Sequence, residues 1–518
     1  MKKGGTENIK GNKRLLRRVG AAAFCCMVVA VVALLGTGYC GEDSFARIGL
    51  MMGPPRWVDY KERTENKDGY SLMVGKKRAV LAKEEDNGRT PDDETAGALK
   101  ALQKADPEKG MIWSAPKEYR VQDGVLTDID RDGDTEMVLL VWKRGRFGAH
   151  RPFWVLRDEK CYSQHIFIYD IDEDGQVKQK WFASDIGMQV RRMKLMERDS
   201  SLLLTEDTEG DCALWQWDSF GLKSMDNEVK FVAFGDNIIH KAIYEYAYGH
   251  EKGSFDFLYE PFEKEIAGAD VSAVNAETVL VDKNSAVSDY PRFGSPLAVG
   301  TALKNVGFNV ISCANNHALD KGIYGIDVSS SFYRDNKMTC VGIQGSGDGK
   351  YRPFEVISRN GIRIALLSYT YGTNGIDVSD KYPYAVHYLP GGEDFFSGDR
   401  IRSDIKEAGG QADFVVVFVH WGDEYCTDIT DYQRDMAELF ADAGADVVIG
   451  THPHVAQPAE MLDRPDGGQM LVYYSLGNFR ANQKGTQGGA EAVFTIEHAY
   501  DGAIVKSWEI RQIDPYAP

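Results

Sequence analysis

No CxxC pair occurs in this 518-residue sequence, and its eight cysteines lie scattered, so a zinc ribbon is excluded. Cations are the minority charge. Sixty Lys and Arg against 78 Asp and Glu give a net charge of −18, which excludes nucleic acid as a partner. Long uncharged runs are missing too, with one exception at residues 19–40. Histidine is scarce, ten in all, so any clustering of histidines carries information.

The exception is an N-terminal object of its own. Lys2, Lys3, Lys10, Lys13, Arg14, Arg17 and Arg18 precede an uncharged run from Val19 to Cys40. A basic flank before about 20 apolar or small residues marks export, at a length that suits a membrane span. Residues 1–18 are then cytoplasmic, residues 19–40 a single-pass anchor or signal segment, and the bulk of the chain extracytoplasmic. Bulky Tyr39 beside Cys40 favours an uncleaved anchor; cleavage or lipidation at Cys40 is the alternative. Seven cations and Glu7 leave the first 40 residues at +6 and residues 41–518 at −24. An exported context permits disulfides. Cys161–Cys212 and Cys313–Cys340 are the candidate pairs, and an odd number of cysteines after Cys40 leaves the pairing open.

Residues 41–110 are polar, with little periodicity, and read as a tether. Residues 111–228 read as a β-rich domain with many aromatics. Within it, Asp128, Asp130, Asp132, Asp134 and Glu136 alternate around Gly133, a pattern that can aim several oxygens at one hard cation. Position twelve of the loop is Leu139, so the bidentate glutamate of an EF-hand is missing. The loop resembles the DxDxDGxxD calcium loops of FG-GAP or VCBS-type repeats, which implies a Ca²⁺ ion here. Weaker echoes follow at Tyr169–Gly175 and Glu206–Asp211. Acidic hairpin turns without an ion are the alternative for all three.

From residue 229 to 515 the pattern turns to strand–helix alternation, with runs such as VKFVAF (229–234), DFVVVFV (413–419) and ADVVIG (445–450). The expected fold is α/β, with a largely parallel sheet and helices outside. Just past the strands stand Gly235-Asp236, Asn275-Ala276-Glu277, Asn315-Asn316-His317, His420-Trp421-Gly422, His452-Pro453-His454 and Gly477-Asn478. Ligands gather at the carboxyl ends of strands in open α/β sheets. Four of the ten histidines fall at these ends. His452 and His454, two positions apart, would face one side of an extended segment.

The motifs GDNIIH (235–240), ANNHALDKG (314–322), HWGDEY (420–425), GTHPHVAQ (450–457) and YSLGNF (474–479) are similar to those of the CapA family of poly-γ-glutamate capsule proteins. That resemblance implies a calcineurin-like metallophosphatase fold, a layered sandwich, over about residues 229–512. It implies two divalent ions, with Asp236 and His454 on the first, Glu277 as the bridge, and Asn316, His420 and His452 on the second. His317 would protonate the leaving oxygen, with Asp320 to orient it. Mixed N and O donors suit Mn, Zn or Fe rather than Ca. Two ions roughly 3.5–4 Å apart can draw a nucleophile from water and clamp a tetrahedral transition state. One departure is plain: phosphatases of this fold usually carry DxH at the first strand, and here position 238 is Ile.

The resemblance implies a membrane-anchored CapA-like protein and metal-dependent hydrolase acting in synthesis of poly-γ-glutamate or a related anionic envelope polymer, alongside other capsule synthesis proteins. Two alternatives stand beside it. One is a general metal-dependent phosphoesterase with a phosphorylated substrate; the other is a non-catalytic polymer-binding scaffold.

Overall fold

The computed structural model describes residues 53–83 and 111–516, apart from 148–152, 155, 173, 184–185, 198, 392–396 and 484–487. The basic segment 1–18 and the expected anchor 19–40 lie outside the described residues. Among the described residues no helix is long and apolar enough to cross a membrane. The chain divides into two compact units, residues 1–201 with 219–221, and residues 202–218 with 222–518.

The first unit is built from antiparallel meanders. Arg63–Lys67, Tyr70–Gly75, Arg78–Lys83 and Met111–Ser114 form one four-stranded sheet in chain order. Arg120–Thr127, Glu136–Arg144, Tyr162–Ile171 and Val177–Phe182 form another. Leu72, Leu81, Val121, Leu139, Val141 and Phe167 share one buried core between them. The expectation of a tether over 41–110 is therefore corrected, because residues 63–83 are strands. Their polar composition hid a period-2 pattern in which Tyr70, Leu72 and Val74 are buried. The domain boundary expected at 228 also moves, since the hairpin register Leu202–Glu206 against Gln216–Cys212 lies within the second unit.

The second unit holds two mixed sheets. One runs Thr339–Val341, Val310–Ser312, Val271–Asn275, Glu228–Asn237, Gly489–Ala499, Gly502–Ile513. Its first four strands are parallel and its last two antiparallel. The other runs Glu355–Arg359, Ile362–Thr370, Phe414–His420, Val447–Thr451, Gln469–Tyr473, Ala459–Asp463, with four parallel strands between antiparallel edges.

Side-chain alternation makes the layers. On one strand Phe231 and Ala233 face a core shared with Val416 and Phe418 of the other sheet. Their neighbours Val232 and Phe234 turn to a second core with Ile243, Leu303 and Ile326, which lie on helices. Val415, Val417 and Val419 likewise turn to a third core with Ile401, Ile405 and Phe440. The result is helix, sheet, sheet, helix: the α/β class that the strand–helix alternation predicted, but with two mixed sheets in the layered arrangement that the resemblance implies. Each such buried side chain contributes about 1.5–3 kcal/mol. Helix Asp431–Ala443 carries its own punctuation. Thr430 and Gln433 form a reciprocal capping box, and Gly444 closes the end in the left-handed region.

Candidate metal centre

Every candidate ligand stands where a parallel strand stops. The first sheet delivers Asp236, then Glu277 two residues past Asn275, then Asn316 and His317 beyond Ser312. The second delivers His420 as the last residue of its strand, with His452 and His454 following Thr451. Close backbone approach brings these ends together, and glycine permits it. A Cβ on Gly235 would lie 1.9 Å from the Gly477 carbonyl oxygen, and one on Gly450 would lie 2.0 Å from that of Tyr474.

The histidine pair meets the site by a route different from the expected one. His452 has φ 101° and His454 φ 59°, so neither is extended, and the alternation expected of a strand does not apply. Left-handed backbone at non-glycine residues costs about 1–3 kcal/mol each and persists where the surroundings over-determine it. Here they do. The His452 N–H donates to Asp236 Oδ2 at 3.2 Å, and the Tyr425 N–H donates to the Pro453 carbonyl at 2.7 Å. Gln457 donates to the carbonyls of Cys426 and Asp428 at 3.0 and 3.1 Å, which ties the two loops together.

Asp236, Glu277, His420, His452 and His454 are all buried. His454 Nδ1 lies 3.0 Å from Asp236 Oδ2, and Asn275 Nδ2 donates to Asp236 Oδ1 at 2.8 Å. His420 Nδ1 pairs with Thr451 Oγ1 at 2.9 Å, which leaves Nε2 directed inward, 3.1 Å from Asn316 Oδ1 and 3.7 Å from Glu277 Oε1. His454 Nε2 is 3.9 Å from the same Glu277 oxygen. Two donor sets thus share Glu277, one with His452 and His454 and one with Asp236 and His420, each within 4.8 Å. Glu277 is common to both sets, and the His452 ring lies beside both other imidazoles, with centroids 4.7 Å from His420 and 5.9 Å from His454.

Both Glu277 oxygens and His452 Nδ1 are buried without a hydrogen-bond partner. Orphaned acceptors of this kind are costly unless a cation meets them. Burial and the Asp236 carboxylate push Glu277 well above the usual carboxylate range. Asp236 goes the other way, because the His454 and Asn275 hydrogen bonds outweigh its burial. Burial, then the neighbouring histidines, holds His420 well below its ordinary value, and His452 falls to about 3 by the same causes. Neutral imidazoles and unpaired carboxylate oxygens are the form in which these groups bind metal. The residues fit a pair of divalent ions.

His317 stands at the rim, 7 % exposed, with Nδ1 2.7 Å from Asp320 Oδ2 and its ring edge-on to Phe293. Ile238, at the position where the phosphatase pattern has a ligand, packs against Phe293 and Ala481. His240 accepts from the Asn482 N–H at 3.2 Å. Two contributors were given no role by the sequence reading. Asn275 orients Asp236, and Thr451 fixes His420; the only signal was their position at strand ends. Thr451→Val keeps the shape and removes the partner of His420 Nδ1. It should weaken Mn²⁺ affinity by about 10–100-fold without altering the fold, measured by titration calorimetry.

The acidic loop of the first unit has a different occupant. Asp128, Asp130 and Glu136 converge within 4.8 Å. The Lys180 ammonium lies among the same acids, 2.6 Å from Asp130, 3.1 Å from Glu136 and 2.9 Å from Asp170. Asp132 is reached at 3.5 Å, while Asp134 donates its N–H to Asp132 Oδ1 at 2.9 Å and turns the loop. The two echoes are hairpin turns in which Asp172 and Asp207 accept backbone N–H groups. Lys180→Gln should destabilise the first unit by about 2–4 kcal/mol, as uncompensated buried carboxylates do. Millimolar Ca²⁺ should restore it, read by hydrogen exchange over 120–144; no response to Ca²⁺ would make the loop an acidic turn only.

Residues 230–483 match the family model for the bacterial capsule synthesis protein PGA_cap. Over 187 residues the chain is 36% identical to the PGA biosynthesis protein CapA of Bacillus subtilis (strain 168), covering 36% of this chain and 46% of that protein. Over 192 residues it is 32% identical to the capsule biosynthesis protein CapA of Bacillus anthracis, covering 36% of this chain and 43% of that one. The chain thus spans somewhat under half the length of these curated relatives. Among solved structures, the calcineurin-like phosphoesterase YfkN from Bacillus subtilis aligns at 12% identity and TM-score 0.31, covering 55% of this chain and 90% of that one. A hypothetical protein from Thermus thermophilus aligns at 14% identity and TM-score 0.34, covering 55% of this chain and 100% of that one.

Proposed function

We propose, on the match of residues 230–483 to the PGA_cap family model, that this chain is a CapA-like protein of capsule or envelope polymer synthesis whose strand-end centre is a dinuclear hydrolase. The observation that carries it is Glu277, whose two buried oxygens have no partner and lie between two sets of imidazole and carboxylate donors. Asp236, Glu277, Asn316, His420, His452 and His454 would hold two divalent ions, Mn, Zn or Fe by the chemistry of the donors. Such ions, when bound, polarise a substrate oxygen and lower the pKa of water.

The chain's own groups do the rest. Asp320 holds His317 by Nδ1, so the other ring nitrogen is the one available to donate a proton to the leaving atom, the amide nitrogen of a γ-glutamyl link or the oxygen of an ester. Buried walls exclude bulk water from Glu277 and the histidines. The substrate would be poly-γ-glutamate or a related anionic polymer. Bound cations would offset the repulsion between such a polymer and residues 41–518, which carry −24. The basic segment followed by the uncharged run 19–40 supports a single-pass anchor with the catalytic domain outside the cell.

A second reading has one observation in its favour. Buried Ile238 stands where the phosphatase pattern supplies a ligand, which suits a slow enzyme or a polymer-handling scaffold. The test is metal content of the full chain by elemental analysis, paired with hydrolysis of poly-γ-glutamate and of a generic phosphodiester, with and without Mn²⁺. Two ions per chain with Mn²⁺-dependent turnover support the hydrolase. One ion or none, with no turnover on either substrate, leaves the scaffold.

A further inference from the structure

Two thiols outside the metal centre meet in the first sheet of the second unit. Val310–Ser312 pairs in parallel with Thr339–Val341, Ile311 opposite Cys340 and Ser312 opposite Val341. Cys313 follows directly, its N–H donating to the Val341 carbonyl at 3.0 Å. Ile311 and Cys313 are two residues apart, so Cys313 returns to the face on which Cys340 projects. The two sulfurs lie 3.4 Å apart. A disulfide needs about 2.05 Å between sulfurs. The remaining gap of about 1.4 Å lies within the reach of small χ1 rotations.

Access is asymmetric. Cys313 is 5% exposed and packs with Ala314, Ile326 and Tyr333 in the helix-side core. Cys340 is half-buried and lines a cavity of about 350 Å³ that opens between Arg334, Lys337 and Arg352. A small disulfide reagent can therefore reach Cys340 from outside, and only Cys340 can then reach Cys313.

We propose that Cys313 and Cys340 form a disulfide cross-link, made by exchange with an external disulfide. The Cys340 thiolate attacks the reagent; one new S–S bond forms, the reagent's bond breaks, and one reagent thiolate leaves. The Cys313 thiol gives up its proton and attacks Cys340 Sγ, releasing the second. Two protein thiols thus lose two protons and two electrons to one disulfide, which becomes two thiols. The cross-link closes the segment 314–339, which carries Asn316, His317 and Asp320. It would clamp that part of the centre to the sheet below it. The inference is independent of the reaction that the centre performs.

The experiment uses the full chain, purified reduced in detergent and equilibrated with glutathione disulfide. It is then acid-quenched, denatured, alkylated and mapped by peptide mass spectrometry. A peptide linking Cys313 to Cys340 is expected, with two of the eight thiols lost to alkylation at those positions. Cys340→Ser should leave Cys313 fully alkylated after the same treatment, because among the described residues Cys340 is the thiol beside it. The proposal is overturned if Cys313 in the wild-type chain stays alkylated after oxidation. It is equally overturned if Cys340 stops at the glutathione adduct, or if Cys313 is protected as well in Cys340→Ser.

Discussion

Chelating divalent metal from the full chain should lower the thermal midpoint of its second unit by roughly 6 °C, and Mn²⁺ should restore it. The size follows from linkage. A ligand at about a thousand times its dissociation constant stabilises the folded state by about 4 kcal/mol, and a unit of this size shifts by roughly 1.5 °C per kcal/mol. The sharper half of the prediction concerns Glu277→Gln. Without metal, Glu277 is a buried carboxyl with two unpartnered oxygens, close enough to Asp236 that burial and that charge both oppose its ionisation. Glutamine keeps the shape and removes the ionisable carboxyl, so the metal-free variant should be at least as stable as the metal-free wild type. With Mn²⁺ the order reverses, because the variant has lost the one carboxylate common to both donor sets. Calorimetric scans of the two proteins, with chelator and with Mn²⁺, read this crossing directly. An equal Mn²⁺ response in both would remove Glu277 from the centre.

The strands that build this centre were legible because buried parallel strands write themselves as unbroken β-branched runs. Phe414–His420 and Val447–Thr451 are fully buried along their lengths, and each ends on a polar residue of the site. What the linear pattern could not show was the turn beyond Thr451. Extended backbone and a left-handed turn both bring residues two apart into one place, and Pro453 is compatible with either. Only the φ values of His452 and His454 decide it. The meeting of His452 with both His420 and His454 is likewise a property of loops packed across two sheets, and no spacing encodes it. The N-terminal meander was hidden for a compositional reason: Arg63–Lys67 is polar throughout, and the buried faces lie on the short neighbours Tyr70–Gly75 and Arg78–Lys83. Cys313–Cys340 was one of two candidate pairs in the sequence, and the strand register singles it out.

His317→Ala should reduce Mn²⁺-dependent turnover by about 10²–10⁴-fold while leaving two ions per chain. The separation of these two readouts is what distinguishes a proton donor from a ligand. His317 belongs to neither donor set around Glu277, so its loss strips no ligand from an ion. Its ring is held by Asp320 at Nδ1 and by the edge of Phe293 at a centroid distance of 4.8 Å. Asp320 is held in turn, since the same Oδ2 accepts the Phe293 N–H at 2.6 Å. A ring fixed this way presents one nitrogen at a constant place, which is what general acid catalysis requires. Asp320→Asn should therefore lower turnover by less than His317→Ala. Its effect should fall mainly on kcat, because the ring is misoriented rather than lost. Substrates with a good leaving group, such as a nitrophenolate, need little proton donation. For them the His317→Ala deficit should shrink toward unity, whereas a variant that had lost a metal ligand would remain slow on every substrate. A His317→Ala protein that turned over an alkyl ester at the wild-type rate would leave the leaving oxygen to some other acid.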